Sequence, residues 1–232
     1  MNERGDMLTS DVKEIRYQPE STYPYDLEIF RVSELRRRTS HQGMRRTYGY
    51  TFYMLILSTE GRSSQLLDFV PCPDEVGSLV VVRPGQAHNF GESEEWDGWI
   101  LLARPEFLWP TSKHVNQRSD FDINRLPPCL RVDPEGLTRA ETLIRWLRDD
   151  AVRCPPEGVE HSPSCTVWPN RFIEDMQLHL RCGFYGLISW LFITYGYSDT
   201  ADCQKRPTLR RFQLFKELAE RHVAEWRSIK LY

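Results

Sequence analysis

The feature that most constrains this chain is a change of hydrophobic period near residue 133. Before it, short apolar runs at 27–32, 50–58, 65–70, 79–83 and 99–103 are separated by turn signals: Glu60-Gly61, Pro71-Cys72-Pro73, Pro84-Gly85 and Asp97-Gly98. Runs of this length, punctuated by Gly and Pro, read as a β-sandwich or barrel. After Asp133 the period becomes helical. Asp133-Pro134-Glu135 combines a cap residue with Pro at the first helical position, and Leu137, Ala140, Ile144, Leu147 and Ala151 then share one face. Residues 155–167 read as a loop. A longer helix is expected over 169–195, interrupted by Gly183 and Gly186, which lower helicity and admit a close neighbour. A polar linker follows at 196–207, then a last helix over 208–232 with Phe212, Phe215, Ala219, Val223 and Trp226 on its apolar face. That helix needs packing partners, and we read the chain as cut inside a further domain.

Charge is unevenly spread along this plan. The formal net charge is −3, but residues 205–232 carry eight Lys/Arg against three Glu, leaving −8 on the first 204 residues. An acidic body with a basic end fits a chain that runs toward nucleic acid, and equally a solvated basic helix. The N-terminus is polar, with no apolar signal region. The most apolar run, 184–195, is short against the roughly 20 residues a spanning helix needs. The six Cys are scattered without metal-ligand spacing, so they read as free thiols in structural or incidental roles, and the expected location is cytoplasmic. Nucleophile-elbow, phosphate-loop, dinucleotide and His-Glu-x-x-His signatures are not found.

The candidate chemistry lies in the β-rich part. Residues 77–83 form a strand, Pro84-Gly85 a rigid turn, and His88 is presented just beyond it. Upstream, alternation along 48–55 puts Tyr48, Tyr50, Phe52 and Met54 on the inner face and Thr51, Tyr53 and Leu55 outside. Trp99 lies on a strand near the turn, where it either stacks on a flat ligand or fills the end of the barrel. His88 either contacts a ligand or caps the turn, and the inward aromatics serve as pocket wall or plain core. Arg45 and Arg46 are candidates to attract an anion, while Arg36-Arg37-Arg38 reads as a solvated face.

Together with Gly98-Trp99 and Glu106-Phe107-Leu108, these residues resemble a cupin barrel, and more closely the sensor region of AraC-type (arabinose-regulator-like) transcriptional regulators. The resemblance covers about 27–108, and Arg211–Val223 with Trp226–Tyr232 resembles the opening helix of that family's DNA-binding domain. It implies an α+β chain: an N-terminal arm at 1–26, a cupin-like double-stranded β-helix at 27–132 that binds a small-molecule effector, and an α-helical dimerisation pair at 133–195. The linker at 196–207 would lead to one isolated C-terminal helix at 208–232, the start of a truncated helix-turn-helix domain. The implied effector-binding residues are Tyr48, Tyr50, Phe52, Met54, His88 and Trp99. The implied homodimer contacts are Met176, Leu180, Leu187 and Leu191, and DNA would be reached only through the missing C-terminal domain, with no membrane partner. The arm, through Tyr23-Pro24-Tyr25, would close over the pocket.

Cupin metal sites use His-x-His, a Glu four residues on and a distant His. Here those places hold Tyr48, Tyr50, Met54 and His88, a poor donor set for zinc or iron. The expectation is therefore a sensor rather than an enzyme, with no cofactor and no metal. The alternatives are a cupin-fold enzyme (isomerase or dioxygenase), or a non-catalytic binding module with its last helix as a docking surface.

Overall fold

The computed structural model describes residues 13–16, 25–39, 41–108, 123–153 and 168–196. In chain order its elements are β1 (Lys13–Ile15), β2 (Leu27–Arg31), α1 (Val32–Arg38), α2 (His41–Met44), β3 (Tyr48–Tyr50), β4 (Tyr53–Gly61), β5 (Leu66–Leu67), β6 (Val70–Pro71), β7 (Ser78–Val82), β8 (Ala87–Asn89), β9 (Trp96–Ala103), α3 (Pro105–Leu108), β10 (Cys129–Arg131), α4 (Pro134–Ala151) and α5 (Trp168–Tyr195). The strands form two five-stranded sheets, ordered β10-β7-β4-β9-β2 and β1-β3-β8-β5-β6. The fold is thus mixed α+β, strands first and long helices last. The expected linker beyond Gly196, the terminal helix at 208–232 and the loop at 155–167 lie outside the described residues, as does most of 1–26.

The larger sheet is buried on both faces, which explains why its strands read as unbroken apolar runs. Leu55 pairs with Leu101 and Ile56 with Ile100 across β4 and β9, and the alternation sends neighbours to opposite sides. Ile29, Leu55, Leu57, Leu79, Val81, Trp99 and Leu101 join the core beneath the helices. Phe30, Met54, Ile56, Val80, Val82 and Ile100 face the smaller sheet in a second core. Burying one such aliphatic side chain is worth about 1.5–3 kcal/mol. Tyr53 and Leu55 do point away from Tyr50 and Met54, as the alternation requires, but their side is covered by helices and both are buried. The expected strand at 50–58 is broken at Thr51–Phe52, where β3 passes to the other sheet.

Two turns show how local chemistry sets this layering. Gln86 N–H donates to Arg83 O at 3.0 Å and Gly85 has φ +82°, the type II geometry that Pro84-Gly85 favours. The run 65–70 is a hairpin rather than one strand. Asp68 and Phe69 take φ of 49° and 64°, a two-residue turn with both residues left-handed. It carries no Asn-Gly signal; instead the Asp68 carboxylate accepts from Gln86 Nε2 at 2.6 Å and Ala87 N at 3.0 Å, tying the hairpin tip to the Pro-Gly turn.

The helical pair is antiparallel. Asp133 caps α4 by accepting from Gly136 N at 2.9 Å, and the Tyr195 hydroxyl at the far end of α5 donates to the same carboxylate at 2.8 Å. The Gly136 amide first, and then Tyr195, hold the Asp133 carboxyl below its ordinary range. At the other end of α4, a Cβ on Gly183 would stand 2.7 Å from Leu147 Cδ2, so Gly183 is the close-approach glycine; Gly186 faces open space. Leu180, Leu187 and Leu191, expected at a dimer contact, are each no more than 2% exposed and pack in the chain's own core, with Met176 half-buried against it. Tyr25, expected in an arm over the pocket, is instead buried on the helical side, its hydroxyl donating to Arg153 O at 2.7 Å.

Helix α1 was not foreseen, because only Val32 and Leu35 mark its inner side. Its Arg run is more than a solvated face: Arg38 pairs with the nearly buried Glu28 at 2.9 Å, and Glu34 takes Arg148 of α4 at 2.9 Å. Two glycines test the packing in opposite directions. A Cβ at Gly98 would sit 2.1 Å from the Leu57 carbonyl oxygen, so Gly98→Ala should lower unfolding free energy by about 3 kcal/mol. Gly186→Ala meets nothing within the chain and should raise the unfolding free energy of the monomer by up to about 1 kcal/mol. Urea denaturation of both variants checks the pair.

Candidate functional site

Between the two sheets, β3, β8 and β5 set their side chains in register: Tyr48 opposite His88, and His88 opposite Leu67. The alternation that carries His88 inward also carries Phe90, and their rings meet edge-on at 4.7 Å. Tyr50 lies 6.2 Å from the His88 ring and 5.2 Å from Phe52. Five of the six expected site residues, Tyr48, Tyr50, Phe52, Met54 and His88, therefore come together around one interior.

Trp99 does not join them. It is one residue out of phase with Ile100, so it faces the helices, where its Nε1–H donates to Glu141 at 3.0 Å. The guanidinium groups of Arg31, Arg145 and Arg148 stand 5.1, 5.3 and 5.7 Å from its ring. There it is a structural anchor for α4 rather than part of the interior site.

His88 is completely buried. Its Nε2 lies 3.1 Å from Gln65 Oε1, while Gln65 Nε2 donates to Ser63 Oγ at 3.3 Å. With its amide nitrogen donating to Ser63 Oγ, Gln65 faces the imidazole through its oxygen, and His88 Nε2 is assigned the proton on that arrangement. His88 Nδ1 is then a bare acceptor, with no hydrogen-bond partner among the described residues. Burial pushes the His88 pKa down to about 3, so the ring is neutral at ordinary pH. Burial, and then Tyr48 beside it, push the Tyr50 hydroxyl up, so it too stays uncharged. Leaving such a nitrogen unsatisfied costs on the order of 1–3 kcal/mol.

Phe90 connects this interior to the surface. It also lines a cleft with Arg36, Met44, Arg45, Gly91 and Glu94. Arg36 lies 5.6 Å from the Trp96 ring, and its Nη2 is buried without a hydrogen-bond partner among the described residues. Arg45, a candidate to attract anions, is paired with Glu94 at 3.3 Å. Arg36 and Phe90 thus share the lining of one cleft, and the Phe90 ring also meets the His88 imidazole. Gln65, Phe90 and Arg36 were missed as site residues. The phases of residues 65 with 67, and 88 with 90, are the signals that identify the first two.

No group of three or more His, Cys, Asp or Glu able to hold a metal ion occurs among the described residues. Tyr48, Tyr50 and Met54 around His88 do not make a donor set that zinc or iron favours. No described helix is long and apolar enough to cross a membrane. No family model matches the chain, and no curated protein matches it. Among solved structures, the plu4264 protein from Photorhabdus luminescens is similar over 36% of this chain and 80% of its own, at 14% identity and a TM-score of 0.24. A similarity at that level carries no argument about fold or function.

The buried imidazole has a consequence for stability. In the unfolded chain His88 has an ordinary pKa near 6.5 and binds a proton that the folded chain refuses. Between pH 6.5 and about 3 the unfolded state binds more protons, so stability falls as pH falls, by up to about 1.4 kcal/mol per pH unit from this group. His88→Leu should lose that component of the slope. Urea melts at pH 7.0, 5.5 and 4.5 measure it, and equal slopes in both proteins would contradict the assignment.

Proposed function

We propose that this chain senses a small molecule as the effector-binding and dimerisation part of an AraC-type transcriptional regulator. The observation that carries the sensing part is the buried, unpaired Nδ1 of His88 in an aromatic interior, with Phe90 between it and the cleft of Arg36. The fitting effector has a flat apolar body for Tyr50, Phe52 and Phe90. A hydroxyl or N–H reaches His88, and a carboxylate or carbonyl takes Arg36. Small hydroxylated aromatic acids have that chemistry. Tyr50, Phe52, Met54, His88 and Phe90 are all buried in this conformation, so the effector enters by displacing Phe90. The conformation that admits it is then favoured by the ligand's differential affinity, which is the coupling a regulator transmits through its linker. A neutral interior without a metal-type donor set favours this reading over a cupin-fold isomerase or dioxygenase.

Dimerisation is proposed through the outer side of α5, because its inner side is occupied. Leu178 and Ile193 are 56% and 70% exposed, with Cys182 and Gly186 exposed between them at helical spacing. Small residues in the middle of such a stripe let a second helix approach closely. Ile193→Asp with Leu178→Asp should convert dimers to monomers in sedimentation velocity without changing the far-ultraviolet spectrum. A wild-type chain that sediments as a monomer would overturn the dimer proposal. The regulator reading is tested by the reading frame beyond the Tyr232 codon: two helix-turn-helix motifs are expected, and an unrelated domain or a stop would contradict it.

A further inference from the structure

The smaller sheet ends at β6 and the larger sheet at β10, and the two edges approach each other through a pair of cysteines. Cys72 directly follows β6, and Cys129 is the first residue of β10. Their Sγ atoms lie 3.3 Å apart although 57 residues separate them in the chain. Prolines stiffen both approaches: Cys72 sits between Pro71 and Pro73, and Cys129 follows Pro127-Pro128. The backbone fixes them as well. Cys72 N–H donates to Gln65 O at 2.9 Å, and Cys129 is in register with Val80. Both side chains belong to the core that surrounds His88, Cys72 buried and Cys129 partly exposed. Neither thiol is needed to complete a metal site, and scattered spacing in the sequence gives no hint that they meet.

We propose that Cys72 and Cys129 are an oxidation site, a dithiol that closes to a disulfide and staples the open edges of the two sheets together. The separation has to shorten from 3.3 Å to about 2.05 Å, a movement of the order that side-chain rotation supplies. The oxidant is a small-molecule disulfide. The accessible Cys129 loses its proton, and its thiolate attacks one sulfur of that disulfide, forming a mixed disulfide and expelling a first small thiolate. Deprotonated Cys72 then attacks the Cys129 sulfur, forming the intramolecular bond and expelling the second thiolate. The two protons lost by the cysteines go to the two leaving thiolates, and the two electrons reduce the small-molecule disulfide. The bond joins a loop of 57 residues, long enough for a large reduction of unfolded-chain entropy. Oxidation therefore stabilises the fold that encloses His88 against unfolding, and this holds whether or not the interior binds an effector.

The test uses the full chain, reduced and then exposed to excess oxidised glutathione, with free thiols alkylated under denaturing conditions before peptide mass mapping. A Cys72–Cys129 linked peptide that dithiothreitol reverses is expected, together with a rise in melting temperature of about 10 °C. Cys72→Ser should leave Cys129 as a mixed disulfide with glutathione, and Cys129→Ser should leave the buried Cys72 unmodified. Recovery of both residues alkylated, or linkage of either to Cys154, Cys165, Cys182 or Cys203, would overturn the proposal.

Discussion

Everything in this molecule depends on a sheet buried on both faces. The strands β7, β4 and β9 supply apolar side chains to two cores at once, so neither the helical layer nor the smaller sheet can be removed without exposing half of each strand. That constraint assigns roles by parity. A residue in the phase of Ile56 and Ile100 belongs to the inter-sheet interior, and a residue in the phase of Leu57 and Trp99 belongs to the helices. The consequence is a division of labour between faces. The helical face carries the ion pairs and caps that hold α1, α4 and α5, among them Glu34–Arg148 and Asp133–Tyr195. The inter-sheet face carries His88, whose Nδ1 has no hydrogen-bond partner among the described residues; the buried Ser58 Oγ and Arg36 Nη2 lack one as well.

The candidate site follows from that division. A fully buried His in a core is affordable when both nitrogens are paired, and here only Nε2 is. With Nε2 assigned as the donor to Gln65, the bare nitrogen is an acceptor. Arg36, which lines the adjoining cleft, carries the opposite chemistry, a cationic donor. Polar atoms left unpaired in an otherwise well-paired interior are where binding chemistry concentrates, and Phe90 is the ring between these two.

Much of the architecture was legible in the chain. The switch of period at 133, the Asp133-Pro134 cap, the Pro84-Gly85 turn and the two long helices all rest on local chemistry that tertiary contacts do not override. The inward set Tyr48, Tyr50, Phe52 and Met54 was legible for the same reason, since parity survives even the break at Thr51–Phe52. What was not legible depended on a second layer. Trp99 was placed near His88 because the two lie near one turn, yet one step of phase puts it under α4. Leu180, Leu187 and Leu191 form a convincing apolar stripe, but a stripe does not say whether its partner is the same chain or another. The turn at Asp68–Phe69 escaped because its left-handed residues are stabilised by Gln86 and Ala87, far away in sequence, and not by glycine. The Cys72–Cys129 contact escaped because it joins the edges of two different sheets.

The central claim is that His88 Nδ1 is an unprotonated acceptor waiting for a ligand donor. Its most direct test is a nitrogen-15 NMR titration of the imidazole with a panel of hydroxybenzoates, in the wild type and in Arg36→Ala. The account predicts an unprotonated Nδ1 and a protonated Nε2 before ligand is added, a shift of the Nδ1 resonance on binding, and weaker binding in Arg36→Ala. An Nδ1 resonance that no compound in the panel moves, or one already bearing the proton in the free chain, would contradict it.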